Sequence, residues 1–341
     1  MATLPLFDAD YVPVPVRRRD QSMLMSIPSF DANSAVRAIA AGGVAVLAEG
    51  GASDAPISLI AAAQNVDPSV VNFMARNARG LVCMPIAPDQ ARRISLTAMT
   101  GAMANPRCPG FACSIEASSG VSTGISAEDR ARTMAVAAAI DARPDDIVRP
   151  GHVFPIIGHE RGLIGCYAAA EAALELVRSA GCGSAAVLCR ILRDDGEVAS
   201  LADVPELGWA RSLESIGIST LLAAQCAQTR LVHREDTPHF VGIRAPLQLR
   251  VYRSREDGRQ HYALIHGGRP NRERSVVRIC SDAGAGEGLP AAVALAAAIG
   301  EGVSEPGASI ILVSGQRHGV AGDIINRAIG RQILEDMLLD D

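Results

Sequence analysis

The sequence predicts an α+β protein in two units: helices packed on a mixed sheet, followed by a smaller β-rich unit. Three observations lead there. Between residues 31 and 225, short apolar runs of strand length alternate with longer segments whose apolar residues recur at helical spacing. A composition break falls at Ala227–Asp236, where polar and charged residues replace the Ala-rich pattern. From Pro246 the pattern becomes strand, turn, strand, with Glu256-Asp257-Gly258 as the turn. A chain of 341 residues is long enough for two such units and a large core.

Each element has a local reason. Residues 1–29 are Pro-rich and irregular and read as a flexible arm. Asp31-Ala32-Asn33-Ser34 offers caps for a helix over Ala35–Ala41, stopped by Gly42-Gly43. Val44–Ala48 is a brief apolar strand and Glu49–Ser58 a loop. Asp67-Pro68 opens a helix over Ser69–Arg79, with Gly80 as its stop. Leu81–Pro85 and Phe111–Glu116 have strand character. Ser126, with an acidic residue three positions on, caps a helix running through Ala142.

Arg149–Pro155 reads as a rigid turn, because a proline on each side of Gly151-His152 fixes the backbone that presents the imidazole. Tyr167–Ala180 is helical, Ala185–Leu192 a buried strand and Asp194-Asp195-Gly196 a turn. Glu206–Ile216 is expected to be a further helix, Ser219–Ala224 a short element, and 227–245 a linker. The second unit (246–341) then has strands at Leu247–Tyr252, Tyr262–Ile265 and Val276–Cys280, a loose Gly284–Gly288, and helices at Leu289–Ile299 and Asp323–Leu339.

Composition removes several function classes. The net charge of −5 and the 3% aromatic content speak against nucleic-acid binding. The chain contains no lysine, which excludes a Schiff-base lysine and a Walker-type phosphate lysine. No apolar run reaches membrane-spanning length and no signal-peptide pattern opens the sequence, so a cytoplasmic protein is expected. Eight cysteines without paired spacing read as reduced thiols.

The stretch from Ser118 to Arg130, SSGVSTGISAEDR, carries a resemblance when taken with Gly42–Ala48, Val71–Arg76, Gly80–Cys83, Arg149–Pro155 and Asp194-Asp195-Gly196. In this order and spacing the segments resemble 3,4-dihydroxy-2-butanone 4-phosphate synthase, over residues 31–225. The resemblance implies the synthase fold, a homodimer, and a magnesium-dependent rearrangement of ribulose 5-phosphate. It also implies that the surviving His152, Ser122, Thr123, Arg149 and Asp194 line a polar pocket. Residues 246–341 are similar to a shrunken GTP cyclohydrolase II domain, which many bacteria fuse to the synthase.

This sequence departs from the family where the family's chemistry resides. The resemblance implies a densely acidic loop after the first strand, holding a magnesium-ligating Glu. Here that loop keeps only Glu49 and Asp54, and Asp54 falls near the metal ligand's place with a shorter arm. Where the family has Arg-x-Gly-His-Thr-Glu, this chain has Cys166, Ala169 and Ala170 in place of Arg, His and Thr, and Glu171 alone survives. The family's catalytic Glu after the buried cysteine is Arg190. In the second unit, Ala283 stands in the first zinc ligand's place, and His261, His266 and His318 have no ligand spacing, so no zinc is expected.

The candidate catalytic residues are therefore His152, Cys166 and Glu171, with Cys108 and Cys113 as further lining thiols. The candidate substrate-binding residues are Ser122, Thr123, Arg149 and Asp194. Asp54 is a weakened magnesium ligand. The expected partner is a small polar metabolite, with no nucleic acid and no membrane. The reading is a diverged lyase- or isomerase-type enzyme in or beside flavin metabolism. Two alternatives stay open: a non-catalytic metabolite-binding partner of riboflavin enzymes, and residual synthase activity.

Overall fold

A mixed eight-stranded sheet frames the first unit. The computed structural model describes residues 32–64, 66–99, 110–243, 245–266, 275–280, 309–314 and 319–339. The sheet is built from β1 (Ala45–Ala48), β2 (Ile57–Ala62), β3 (Arg79–Ile86), β4 (Gly110–Phe111), β5 (Ile115–Ala117), β6 (Ile147–Ile157), β7 (Ala186–Ile191) and β8 (Glu214–Gly217). Its order is β4-β6-β3-β7-β2-β1-β8, with β5 paired to β6 off this path. The β1–β8 and β3–β6 pairs are parallel; β1–β2, β2–β7 and β3–β7 are antiparallel.

Helices cover both faces. On one side lie α2 (Pro68–Asn77) and α4 (Ala127–Ala138). Asp67 accepts the Ser69 N–H at 2.8 Å and Pro68 follows it, so α2 starts where proline costs no hydrogen bond. Ser126 caps α4 by accepting the Asp129 N–H at 3.0 Å. Met74, Met84, Ile94 and Met134 are fully buried beneath them. Each contributes about 1.5–3 kcal/mol of apolar burial. Short α3 (Pro88–Arg93) closes this side.

The opposite face is covered by α1 (Ala32–Ala40), α5 (Gly162–Gly165), α6 (Ala169–Ser179) and α7 (Ile218–Gln228). Their core runs without a break into the second unit. That unit holds a five-stranded sheet of β9 (Val232–Ile243), β10 (Ala245–Ser254), β11 (Gln260–His266), β12 (Ser275–Cys280) and β13 (Ser309–Ser314), ordered β12-β13-β11-β10-β9. Helix α8 (Gly319–Leu339) packs on it and on α7. The Gln332 side chain ties the two helices: its Nε2 donates to the Thr229 carbonyl at 2.7 Å and its Oε1 accepts the Leu231 N–H at 2.8 Å. Tyr252 donates its hydroxyl to Asp336 at 2.9 Å.

Several expectations change. Glu206–Ile216 is not a helix: a short turn at Ala210–Ser212 leads directly into β8. Gly208 weakens the helical run, and pairing with β1 commits Glu214–Gly217 to the sheet edge. The stretch 227–245 contains β9, paired along β10. The short element at Ser219–Ala224 is the N-terminal half of α7. Strand β13 was not anticipated, although Ile310–Val313 is a four-residue apolar run. Cys166 is disulfide-bonded, against the reading of reduced thiols throughout. The arm at 1–29, Gly284–Gly288, the helix at Leu289–Ile299, Cys108 and His318 lie outside the described residues.

Candidate functional site

The stretch read as a rigid turn is an irregular part of an eleven-residue strand, β6. Ile115 of β5 pairs with Val153, but the next residue, Glu116, pairs with Val148, so residues 149–152 loop out of register. The Arg149–Pro150 peptide is cis. Gly151 is required because its backbone lies against β5: a Cβ there would fall 2.2 Å from the Ile115 carbonyl carbon and oxygen. This bulge aims His152 at Glu116.

Glu116 holds the site together. It is 8% exposed, and its Oε2 lies 2.8 Å from His152 Nδ1 while accepting the His152 backbone N–H at 3.2 Å. Its Oε1 accepts the Thr133 hydroxyl at 2.9 Å, and the Thr133 oxygen in turn accepts the Ala117 N–H at 3.0 Å. With a carboxylate on Nδ1, the imidazole proton belongs there, and Nε2 is left as the acceptor. The His152 side chain is 45% exposed, so this nitrogen can meet a solute. Gly124 closes over the pair: a Cβ would lie 2.0 Å from Glu116 Oε2 and 2.5 Å from His152 Nδ1.

The SSGVSTGIS loop is pinned by Asp129, in the first turn of α4. Its carboxylate accepts the Ser122 N–H at 3.0 Å, the Ser122 hydroxyl at 2.9 Å and the Gly124 N–H at 3.0 Å. These donors, the Ser122 backbone N–H first, hold the Asp129 carboxyl below the ordinary range. Ser122 and Thr123 are exposed on the same loop as Gly124. Loop and imidazole are thus one assembly.

The other candidates lie in other company. Arg149 Nη2 donates to the carbonyls of Ile94 and Ser95 at 2.7 and 3.1 Å, at the C-terminal end of α3. Asp194, its side chain 97% exposed, pairs with Arg79 at 2.6 Å. Asp54 is exposed in the loop before β2. Cys166 is buried and, being in a disulfide, offers no thiol. Burial pushes the Cys83 thiol up to about 12 and the Cys189 thiol to about 11, so both stay protonated. Glu171, 3% exposed, lines a cavity at the seam between the units, whose lining does not include His152.

Sequence reasoning missed Glu116, Thr133 and Asp129. The one available signal for Glu116 was an acidic residue ending an apolar strand. It also missed the pairing of Arg190 with Glu49 at 2.6 Å. Ser58 adds a longer hydrogen bond to the same Glu49 oxygen at 3.4 Å. The one substitution by a cation has therefore captured one of the two carboxylates left in that loop.

A layered α/β fold with this His-carboxylate loop assembly is the class of protein the geometry defines, and comparison with known proteins narrows it. Residues 33–224 match the family described as 3,4-dihydroxy-2-butanone 4-phosphate synthase. The chain belongs to that family. It is 35% identical over 226 residues to the riboflavin biosynthesis protein RibBA of Aquifex aeolicus, covering 66% of this chain and 56% of that protein. It thus spans about half the length of the first curated relatives it matches. RibBX, a two-domain 3,4-dihydroxy-2-butanone 4-phosphate synthase from A. baumannii, superimposes with a TM-score of 0.71 at 27% identity, over 90% of each chain. A synthase structure in complex with two magnesium ions matches with a TM-score of 0.53 at 29% identity, over 59% of this chain and 98% of that one.

Proposed function

We propose that this chain is a diverged synthase homologue that works through His152 on a small polar metabolite, in or beside flavin metabolism. The reaction would be of lyase or isomerase type, without the magnesium-dependent step of its relatives. The observation that carries the reading is the His152–Glu116 dyad, with Nδ1 on a buried carboxylate and Nε2 open to a solute. In this arrangement Nε2 takes a proton from a substrate hydroxyl or an activated C–H. Glu116 then stabilises the imidazolium and keeps its ring in place. Such a positioned base contributes about 10²–10⁴-fold in rate.

Magnesium does not fit the residues present. Glu49 is held by the Arg190 guanidinium, Asp54 is exposed, and no group of three or more His, Cys, Asp or Glu among the described residues could hold a metal ion. A divalent cation beside a guanidinium would meet like charge where it needs oxygen ligands. The second unit is proposed to be a shortened cyclohydrolase II-like domain without a zinc centre. Homodimerisation is proposed with it, supported by the exposed apolar side chains of Phe111, Ile125 and Val148. No described helix is long and apolar enough to cross a membrane, in keeping with the proposed cytoplasmic location.

The test has two arms. Ribulose 5-phosphate with magnesium should give no sustained formate release; steady turnover would establish retained synthase activity and overturn the reading. Incubation with a panel of keto-sugar phosphates in D2O should show deuterium entering one of them by NMR, and His152→Ala should abolish it. A second reading, a metabolite-binding partner of riboflavin enzymes, draws on Arg149 and Asp194 being engaged by protein groups. Absence of exchange across the panel would favour it.

A further inference from the structure

The sheet register sets a row of side chains across the end of the sheet that carries His152. Ser58 of β2 pairs with Arg190 of β7, and Glu49 directly follows Ala48, the β1 partner of Ile57. Val82 pairs with Cys189, which sets Leu81 of β3 beside Arg190. Cys83 pairs with Phe154, which sets Leu81 level with His152 of β6. These strands are adjacent in the order β6-β3-β7-β2-β1. Ala48, Ile57, Cys189, Val82 and Val153, each a chain neighbour of one member of the row, lie in the core beneath α2 and α4. Side chains alternate along a strand, so Glu49, Ser58, Arg190, Leu81 and His152 share the opposite face.

The row places a guanidinium across Leu81 from the imidazole. Leu81 is 53% exposed and forms an apolar floor between the two. Arg190 meets Glu49 through Nη2 at 2.6 Å and pairs with no other residue among the described ones. Glu49 is in turn held by the Ser58 hydroxyl at 3.4 Å. A guanidinium fixed at one nitrogen keeps a further edge of N–H donors. The Arg190 side chain is 38% exposed, so that edge is open to a solute. Its donors match the oxygens of a phosphate or a carboxylate. Already held by Glu49, the side chain loses little freedom when such an anion docks.

We propose that Arg190 is the anion anchor of the His152 site: it holds the phosphate or carboxylate of a short keto compound whose reacting carbon lies at His152 Nε2. Arg190 and His152 stand two strand spacings apart, about 10 Å between backbones, which a chain of about three to five carbons bridges with a hydrogen bond at each end. The chain lies over Leu81. This rests on the reading of His152 as the base and narrows its substrate to keto compounds with an anionic tail. Nε2 takes a proton from the carbon beside the keto group, and the C–H electron pair passes to the carbonyl oxygen as an enolate. Reversal returns a proton to the same carbon.

The test sets two anions against their uncharged forms on the full chain: xylulose 5-phosphate against xylulose, and levulinate against its methyl ester. By isothermal titration one anion should bind about tenfold or more tightly than its uncharged form, and which one does so distinguishes phosphate from carboxylate. Arg190→Ala should erase that preference and leave the uncharged form unchanged. Arg190→Lys, which keeps the charge and loses the fork, should retain part of it and decides the matter if Arg190→Ala does not fold. The proposal is overturned if neither anion is preferred at millimolar concentration, or if the preference survives both substitutions. Inorganic phosphate binding as tightly as either anion would show anion capture alone and would also overturn it. Deuterium entry from D2O, followed by NMR, separates the two readings. His152→Ala should abolish entry while the Arg190-dependent binding persists. Arg190-dependent binding with no deuterium entry in the wild type would sustain the anchor and overturn the reading of His152 as the base.

Discussion

Glu116 and Glu171 are buried to nearly the same depth, 8% and 3% exposed, and the fold treats them in opposite ways. Glu116 has both oxygens engaged, one by Thr133 and one by His152. Glu171 has one oxygen on a backbone N–H and one with nothing. Burial alone therefore does not give a carboxylate's role. A satisfied one is a fixed support, here for an imidazole. An unsatisfied one is a cost of about 1–3 kcal/mol that the fold carries.

The strongest blow to the Glu116 side of this contrast is Gly124→Ala. The added Cβ would land 2.0 Å from Glu116 Oε2 and 2.5 Å from His152 Nδ1, at a residue with φ +81°. Neither neighbour can give way without breaking the dyad. The expected loss is about 3 kcal/mol, near the upper end for overpacking, because a left-handed backbone adds to the clash. Denaturant unfolding measures it. Gly208→Ala, with nothing within 4 Å of its Cβ, is the control and should move the midpoint little. Equal effects at the two glycines would mean that the crowding over His152 is not tight.

Next comes Glu116→Ala. It strands the Thr133 hydroxyl and the His152 Nδ1 proton together, and should cost about 1–3 kcal/mol. Thr133→Val removes one donor and should cost less, while lowering any His152-dependent exchange through a loosened ring. A neutral Glu116→Ala would show that the dyad is a contact rather than a support.

These residues also mark what the sequence could and could not disclose. Elements that stand on local signals were legible: α2 behind Asp67-Pro68, α4 behind Ser126, and β7 as an apolar run broken only at Arg190. The His152 stretch was legible as special, because prolines around Gly-His constrain any chain. Its partner was not. Glu116 meets His152 only because β5 and β6 slip register at one point, and a slip between strands thirty residues apart leaves no mark in either. Helix-like composition at Glu206–Ile216 likewise lost to a strand pairing that only the sheet decides. The Arg190–Glu49 pair was half-legible: the cation was visible, its carboxylate was not.

On the Glu171 side the sharper probe is pH. Burial holds this carboxyl above its ordinary range in the folded chain. A group with a raised folded value binds its proton more tightly in the native state. Its contribution to stability therefore falls as pH rises from the ordinary carboxylate range through the raised value, and stays low above it. Glu171→Gln mimics the protonated form and has no such dependence. The variant should exceed the wild type in stability by on the order of 1 kcal/mol near neutral pH, and the gap should close toward about pH 4. Calorimetric melting at a series of pH values reads both curves. A gap that does not change with pH would mean that the bare oxygen is not what burial strains.

The smallest expected effect concerns the carboxylate that is neither a support nor bare, Glu49. Its partner Arg190 is 38% exposed, and partly exposed ion pairs are worth about 0.2–1 kcal/mol. Arg190→Ala should therefore barely shift the melting temperature in the absence of metal. Its value lies in the response to magnesium. If Glu49 and an exposed Asp54 are too few ligands, millimolar magnesium should stabilise neither the wild type nor the variant. If magnesium raises the melting temperature of Arg190→Ala but not of the wild type, the guanidinium alone blocks a latent site. Glu49 would then belong with Glu171, a carboxylate whose role is set by what has been placed beside it.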